Sequence, residues 1–217
     1  MSVLLIEGEA SGEVLVFDEG LSFWGGVDPE SGRIIDVHHP NCGESVSGKI
    51  LMMPTSRGSC SGSGVLLELS LNGLAPAALV FQGQEEVLTL GAMVSDRVFG
   101  RPIPTVCLSP ADYEALARCR TASISGHWIK ADTLDLELAP TRPGDIDLSE
   151  SDKARLNGEA GPAARMAMEI ICLMAAAAGT RTLTDVTRGH IDGCILSHSA
   201  NLIFAEKLAD LGARVSV

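Results

Sequence analysis

The segment from Pro54 to Gly64, PTSRGSCSGSG, gathers more chemistry than a simple connection needs. Gly58, Gly62 and Gly64 let a ligand approach the backbone closely, and successive N–H groups in such a bend can cradle an anion. Arg57 carries a planar guanidinium that grips a carboxylate through two parallel hydrogen bonds. Ser56, Ser59, Ser61 and Ser63 add hydroxyls, and a serine whose pKa is lowered by a charged neighbour can take or give a proton. A plain polar loop is also rich in serine and glycine, so this segment alone leaves both readings open.

Other groupings are weaker. Gly58-Ser59-Cys60-Ser61-Gly62 has the G-x-C-x-G form of a nucleophile elbow, which makes a cysteine hydrolase with His190 or His198 as base a competing reading. Gly43–Lys49 (GESVSGK) matches most of a phosphate-binding loop, but Ile50 stands where the magnesium-holding Ser/Thr belongs. In Gly189–Cys194 (GHIDGC), His190 and Asp192 lie two apart, which puts both on one side of an extended segment for proton transfer. A surface His–Asp pair near a turn would look the same. His38-His39 beside Cys42 has no second cluster at zinc spacing, so chance explains it better than a metal.

The elements around these groups alternate in type. Glu13–Asp18 and Arg33–His38 are β-branched apolar runs, and predict strands on either side of a glycine-rich loop at Phe23–Pro29. Gly48–Pro54 (GKILMMP) predicts a strand covered on both faces, and Val65–Leu71 a short buried helix. Ala77–Phe81 predicts another strand, whereas Gln84–Phe99 mixes both periods and is left open. Ser109-Pro110-Ala111-Asp112 is a helix start with a capping hydroxyl, a first-turn proline and a favourable acid, running to about Cys119. Thr121–Lys130 and Thr133–Ala139 predict two closing strands. Ala139–Asp147 (APTRPGDID) reads as a linker, and beyond it the alanine- and methionine-rich Gly161–Ala178 and the amphipathic Asn201–Leu211 predict helices. A lone closing strand at Ala213–Val217 lacks sheet partners, which leads us to expect a second domain cut short.

Composition narrows the classes. The 217 residues are 46% hydrophobic and 20% charged, with a formal charge of −12, so the chain is globular and acidic. Such a surface repels phosphate backbones and anionic lipid heads, and we expect no nucleic-acid and no membrane partner. The start, MSVLLIEGEASGE, lacks a basic region. None of the six cysteines forms a CxxC pair, so reduced thiols and a cytoplasmic location are the expectation.

Taken together and in this order, the segments resemble the aconitase X family. The resemblance rests on Phe23–Pro40 (FWGGVDPESGRIIDVHHP), Ser56–Glu68 (SRGSCSGSGVLLE) and Leu74–Phe81 (LAPAALVF). Farther on it rests on Leu156–Ile171, Gly189–Cys194 and Phe204–Val217. It implies an α/β fold: a swivelling β/β/α domain, barrel-like with flanking helices, over residues 1–140, and a linker at 141–148. A truncated helical and αβ part of the aconitase-type catalytic domain would follow over residues 149–217. The activity implied is that of a hydro-lyase dehydrating cis-3-hydroxy-L-proline to Δ1-pyrroline-2-carboxylate, or in another branch dehydrating mevalonate 5-phosphate. The resemblance also implies an iron–sulfur cluster acting as Lewis acid, with most of its ligands outside this chain. By the same likeness Ser59 is the base, and Arg57, the Gly58 backbone, Ser56, Ser61 and Ser63 bind the substrate carboxylate, while His190 and Asp192 help the hydroxyl leave. The partner expected is the remaining catalytic domain or subunit; a non-catalytic swivel subunit needing a partner chain is the third alternative.

Overall fold

Side chains along a strand alternate between two faces, so a strand that is apolar throughout must be covered on both. Ile50–Met53 and Ala78–Phe81 satisfy this condition, and the structure is built around them. The computed structural model describes residues 1–141 apart from Thr133. Its strands are β1 (Val3–Ile6), β2 (Glu9–Val16), β3 (Val27–Asp28), β4 (Arg33–Ile34), β5 (Ile50–Met53), β6 (Ala78–Phe81), β7 (Thr105–Cys107), β8 (Thr121–Ser125), β9 (Trp128–Ala131), β10 (Leu134–Glu137) and β11 (Ala139–Pro140). The helices are α1 (Ser61–Leu71), α2 (Val87–Phe99) and α3 (Pro110–Ala117).

One sheet runs in the order β10-β9-β8-β2-β5-β6-β7-β1-β11. Its middle strands β2, β5, β6 and β7 are parallel, and β8, β9 and β10 extend it antiparallel on one side. The two edges are consecutive in the chain. Across Leu138, which separates β10 from β11, the Leu138 N–H donates to the His127 carbonyl at 2.8 Å and the Ala139 N–H to the Ser2 carbonyl at 3.1 Å. The sheet therefore curls into a nearly closed barrel. Leu4, Ile50, Met52, Ala78, Val80, Val106, Ile124, Ile129 and Leu138 share the inner core, with Tyr113 and Leu116 of α3 packed into it. Leu51, Met53, Leu79 and Phe81 point the other way, into a second core with α1, α2 and the long excursion between β2 and β5. The expected α/β, barrel-like swivel architecture with flanking helices is what the chain adopts.

The two helices of the outer layer touch through small residues. A Cβ placed on Gly91 of α2 would lie 2.6 Å from the Ser63 carbonyl of α1, and the Ser70 and Ser95 hydroxyls bond at 2.6 Å. On the barrel side α3 starts as its sequence predicts: the Ser109 side chain accepts from the Asp112 N–H, with Pro110 in the first turn. It ends at Ala117, slightly before Cys119.

Several expectations are corrected. Strand β2 begins at Glu9, ahead of the expected Glu13, because its polar first half pairs with β8. Only Arg33–Ile34 of the expected Arg33–His38 strand forms; the Asp36 carboxylate accepts the His38 N–H at 2.9 Å and turns the chain. Thr121–Lys130 is two strands, folded back at Gly126 with φ 54°. Ala139 and Pro140, expected to open the linker, belong to β11. The open stretch resolves into α2, and β1 and β7 form without having been foreseen. Apart from Thr141, the linker at 141–148 and the second region at 149–217 lie outside the described residues. Among the described residues no helix is long and apolar enough to cross a membrane.

Candidate functional site

Parallel strands present their carboxyl ends on one side, and in open α/β sheets ligands settle there. The serine loop leaves the carboxyl end of β5, flanked by the loops that follow β2 and β6. Both neighbours fix it. On the β2 side the Arg57 N–H donates to the Leu21 carbonyl at 3.2 Å. Gly58 adopts φ 97°, and a Cβ there would lie 2.5 Å from the Ser22 Oγ; this position needs glycine on both counts. On the β6 side the Gln82 and Gly83 N–H groups donate to the Pro54 carbonyl, each at 3.2 Å.

Glu85 is the anchor the sequence did not reveal. It is 3% exposed and accepts from every direction available. Its Oε1 takes the Ser56 hydroxyl and the Leu88 N–H (2.8 Å), and its Oε2 takes the Thr89 N–H and the Thr89 hydroxyl (2.9 Å each). One buried carboxylate thus caps the start of α2 and pins the serine loop to it.

The hydroxyls of the loop divide accordingly. Ser56 is committed to Glu85, and the buried Ser63 donates to the Cys60 carbonyl at 2.6 Å inside the first turn of α1. Ser59 is exposed, and its hydroxyl has no partner among the described residues. Ser61 is half-buried at the start of α1. Arg57 is half-exposed and pairs with Glu19 at 3.6 Å. Gly58, Ser59, Ser61 and Arg57 are therefore brought together on the rim, while His190 and Asp192 lie outside the described residues. A cavity of about 350 Å³ at the same edge touches the loop at Pro54 and is walled by Asp18, Gln82, Tyr113 and Arg118. Burial, reinforced by Asp18, pushes the Tyr113 phenol up to about 12, so it stays a neutral wall of that cavity.

Two alternatives lose ground. A nucleophile elbow is a sharp, strained turn straight from strand to helix. Here Pro54–Cys60 separate β5 from α1, and Cys60 sits in relaxed helical geometry at φ −59°, ψ −9°. Cys60 is moreover disulfide-bonded, which corrects the expectation of reduced thiols at this position; Cys42, Cys107 and Cys119 are free thiols. His39 is buried against the Phe17 ring, with centroids 4.8 Å apart, and its Nδ1 accepts the Asn41 N–H at 3.2 Å. That is a packing role. Among the described residues no three His, Cys, Asp or Glu side chains gather to hold a metal ion. These residues do not by themselves fit an iron–sulfur cluster.

Residues 2–131 match the family described as the aconitase X swivel domain, and residues 145–217 the aconitase X first domain. The chain is 46% identical over 221 residues to the cis-3-hydroxy-L-proline dehydratase of Hypocrea jecorina, covering 97% of this chain and 37% of that protein. The enzyme of the same name from Pseudomonas aeruginosa is 46% identical over 219 residues, 98% of this chain and 38% of the relative. The chain thus spans less than two-fifths of the length of either dehydratase. The phosphomevalonate dehydratase small subunit of Methanopyrus kandleri is 43% identical over 101 residues, 46% of this chain and 75% of that protein. Among solved structures, aconitase X of Thermococcus kodakaraensis (holo-form) superposes with a TM-score of 0.52 at 31% identity, covering 60% of this chain and 95% of that one.

Proposed function

The chain belongs to the aconitase X family, and from that premise we propose that it supplies the base-bearing part of a hydro-lyase acting on cis-3-hydroxy-L-proline. The product is Δ1-pyrroline-2-carboxylate, formed by tautomerisation of the enamine first released. One observation carries the reading: in a loop fixed on both sides, Ser59 alone among Ser56, Ser59 and Ser63 keeps its hydroxyl uncommitted and exposed.

Dehydration next to a carboxylate needs a base for the α-proton, donors for the carboxylate and help for the departing hydroxyl. Ser59 takes the first role. It precedes α1 closely, so the positive end of that helix favours its deprotonated form. Arg57 exchanges its exposed Glu19 partner for the substrate carboxylate, and Ser61 and the Gly58 backbone line the approach. Ser56 and Ser63, expected as direct contacts, instead shape the loop. His190 and Asp192 keep their proposed part in helping the hydroxyl leave. An iron–sulfur cluster, which the family implies, would supply Lewis acidity and would need ligands other than the described residues. The rest of the catalytic domain, in the same chain or a partner subunit, completes the site, and the acidic chain acts in the cytoplasm.

Mevalonate 5-phosphate is the less favoured substrate: the relatives matched over 97% and 98% of this chain are by name cis-3-hydroxy-L-proline dehydratases, whereas the phosphomevalonate dehydratase small subunit is matched over 46% of it. In the complete enzyme Ser59→Ala is expected to lower kcat by about a thousandfold with folding unchanged. Turnover of cis-3-hydroxy-L-proline at the unsubstituted rate would refute the assignment.

A further inference from the structure

Tyr113 is the single tyrosine of the chain, and its hydroxyl is buried without a hydrogen-bond partner. The residue is 7% exposed. A buried hydroxyl left unmatched costs free energy, and a native chain keeps such a group where something else supplies the bond. Helix α3 places it: Tyr113 and Leu116 enter the inner core, while Glu114 and Arg118, the residue that ends the helix, are exposed. Burial first, and then repulsion from Asp18, push the phenol up to about 12. The Asp18 carboxylate therefore lies close by, yet no hydrogen bond joins the two.

Tyr113 borders the cavity of about 350 Å³ between α3 and the carboxyl ends of β2, β5 and β6. That volume lies at the lower end of the range of small-molecule sites, roughly 300–1,000 Å³. Val16, Pro54 and Ala117 give the cavity an apolar wall, and Asp18, Glu114 and Arg118 bring charges of both signs to it. None of these three makes an ion pair among the described residues, although Glu114 stands one helical turn before Arg118. The cavity is separate from the face that carries Ser59, which does not line it. Helix α1, which follows the serine loop, packs with Met53 and Phe81 in the outer core, whereas Val16, Tyr113 and Ala117 belong to the inner one.

We propose that this cavity is a second site, which binds a small aliphatic α-amino acid as its zwitterion: the ammonium on Asp18, the carboxylate on Arg118 and Tyr113, the side chain against Val16, Pro54 and Ala117. Charge selects the class. A lone anion would meet Asp18 and Glu114, and a lone cation would meet Arg118; a ligand carrying both signs satisfies all three. Arg118 can grip a carboxylate through two parallel hydrogen bonds. The neutral Tyr113 hydroxyl donates to the same carboxylate, so the ligand makes the bond that the free protein lacks. The inference goes beyond the dehydratase reading and does not depend on it. The two sites touch at one residue. Pro54 is the root of the serine loop and a wall of the cavity, and its carbonyl accepts the Gln82 and Gly83 N–H groups at 3.2 Å each.

The test uses the 217-residue chain with isotope-labelled tyrosine, so that the NMR ring signals come from Tyr113 alone. L-valine is the probe, and the signals are expected to shift saturably with a Kd in the millimolar range. Isobutylamine and isovalerate each keep one of its two charges and are expected to bind at least about tenfold more weakly, as is L-valine to Arg118→Gln, since each loses a charge-assisted hydrogen bond. Ser59→Ala is expected to leave the L-valine titration unchanged. The absence of a saturable shift overturns the proposal. So does isobutylamine or isovalerate binding as tightly as L-valine, or an Arg118→Gln titration like that of the unsubstituted chain. Loss of the titration in Ser59→Ala puts the ligand on the serine loop and overturns the second site. Thermal unfolding tests the hydroxyl itself: saturating L-valine is expected to raise the Tm of the unsubstituted chain, and the same concentration to leave that of Tyr113→Phe unmoved. An equal rise in both overturns the role given to Tyr113 and the proposal with it.

Discussion

Replacing Glu85 by glutamine tests whether one buried carboxylate ties the serine loop to α2. The side chain is isosteric, so packing is conserved and the change falls on hydrogen bonding. Glu85 accepts four donors, two on each oxygen, and each oxygen serves one backbone N–H and one hydroxyl. Glutamine keeps one acceptor oxygen and turns the other into an NH₂ donor. The hydroxyl on that side, from Ser56 or Thr89, can rotate and accept. The backbone N–H of Leu88 or Thr89 cannot. One buried N–H is left unsatisfied in either amide orientation, at about 1–3 kcal/mol. Loss of the charge at the start of α2 adds about 0.5–1 kcal/mol. The total is about 1.5–4 kcal/mol, and at about 3–4 °C per kcal/mol for a domain of this size the Tm falls by about 5–16 °C. Scanning calorimetry of the 217-residue chain reads this directly, with Glu30→Gln on the exposed β3–β4 turn as control. A Tm within about 2 °C of the unsubstituted protein would refute the reasoning, because it would mean the four contacts are not made together.

Two further outcomes follow from the same structure. Gly91→Val places a branched side chain where a Cβ already meets the Ser63 carbonyl at 2.6 Å and the Ser63 Cα at 3.1 Å. Both contacts are backbone and cannot swing aside, so urea unfolding should show a loss of about 2–3 kcal/mol. Asp96→Asn should stabilise the protein at neutral pH. Burial raises the Asp96 carboxyl above its ordinary 3.8 and outweighs the attraction of Arg97, with a smaller repulsion from Glu7 added. The sign follows from linkage: the folded state holds this proton more tightly than the unfolded one, so the ionised form costs stability, and the cost grows as pH rises from the unfolded value through the raised one. Asparagine removes that cost. Its advantage in urea unfolding should be largest near pH 7 and disappear below about pH 3.8; an advantage that persists at lower pH would show a cause other than charge.

What the sequence disclosed and what it hid divide by range. The start of α3 was legible because Ser109, Pro110 and Asp112 act on one another within a single turn. Strand β5 was legible because it is apolar at every position and needs no knowledge of its partners. Strands β1 and β7 are short, and each exists by pairing with the other across about a hundred residues, Val3 opposite Cys107. Nothing local announces such a ladder. Helix α2 stayed ambiguous because its cap is a glutamate lying before the formal N-terminal residue, where sequence rules look for serine, threonine, aspartate or asparagine. The site followed the same rule. Its loop could be picked out from Arg57, the glycines and the serines, which are contiguous. Glu85 and Glu19, which decide which of those groups are free, reach it from separate loops.

The division of the serine hydroxyls also says what must cover them. An uncommitted hydroxyl on an exposed rim costs nothing, since water satisfies it. Enclosed under another domain, the same Ser59 hydroxyl would be a buried polar group without a partner, at a cost of about 1–3 kcal/mol. Closure is then favourable only if the incoming surface brings a group that bonds to it, and a cationic or strongly donating group would at the same time lower its pKa toward that of a working base. Glu85 shows how the described part meets this demand elsewhere: each donor near it is matched before it is buried. Ser59 and Ser61 are the loop serines for which no match is made among the described residues, and of the two Ser59 is the exposed one.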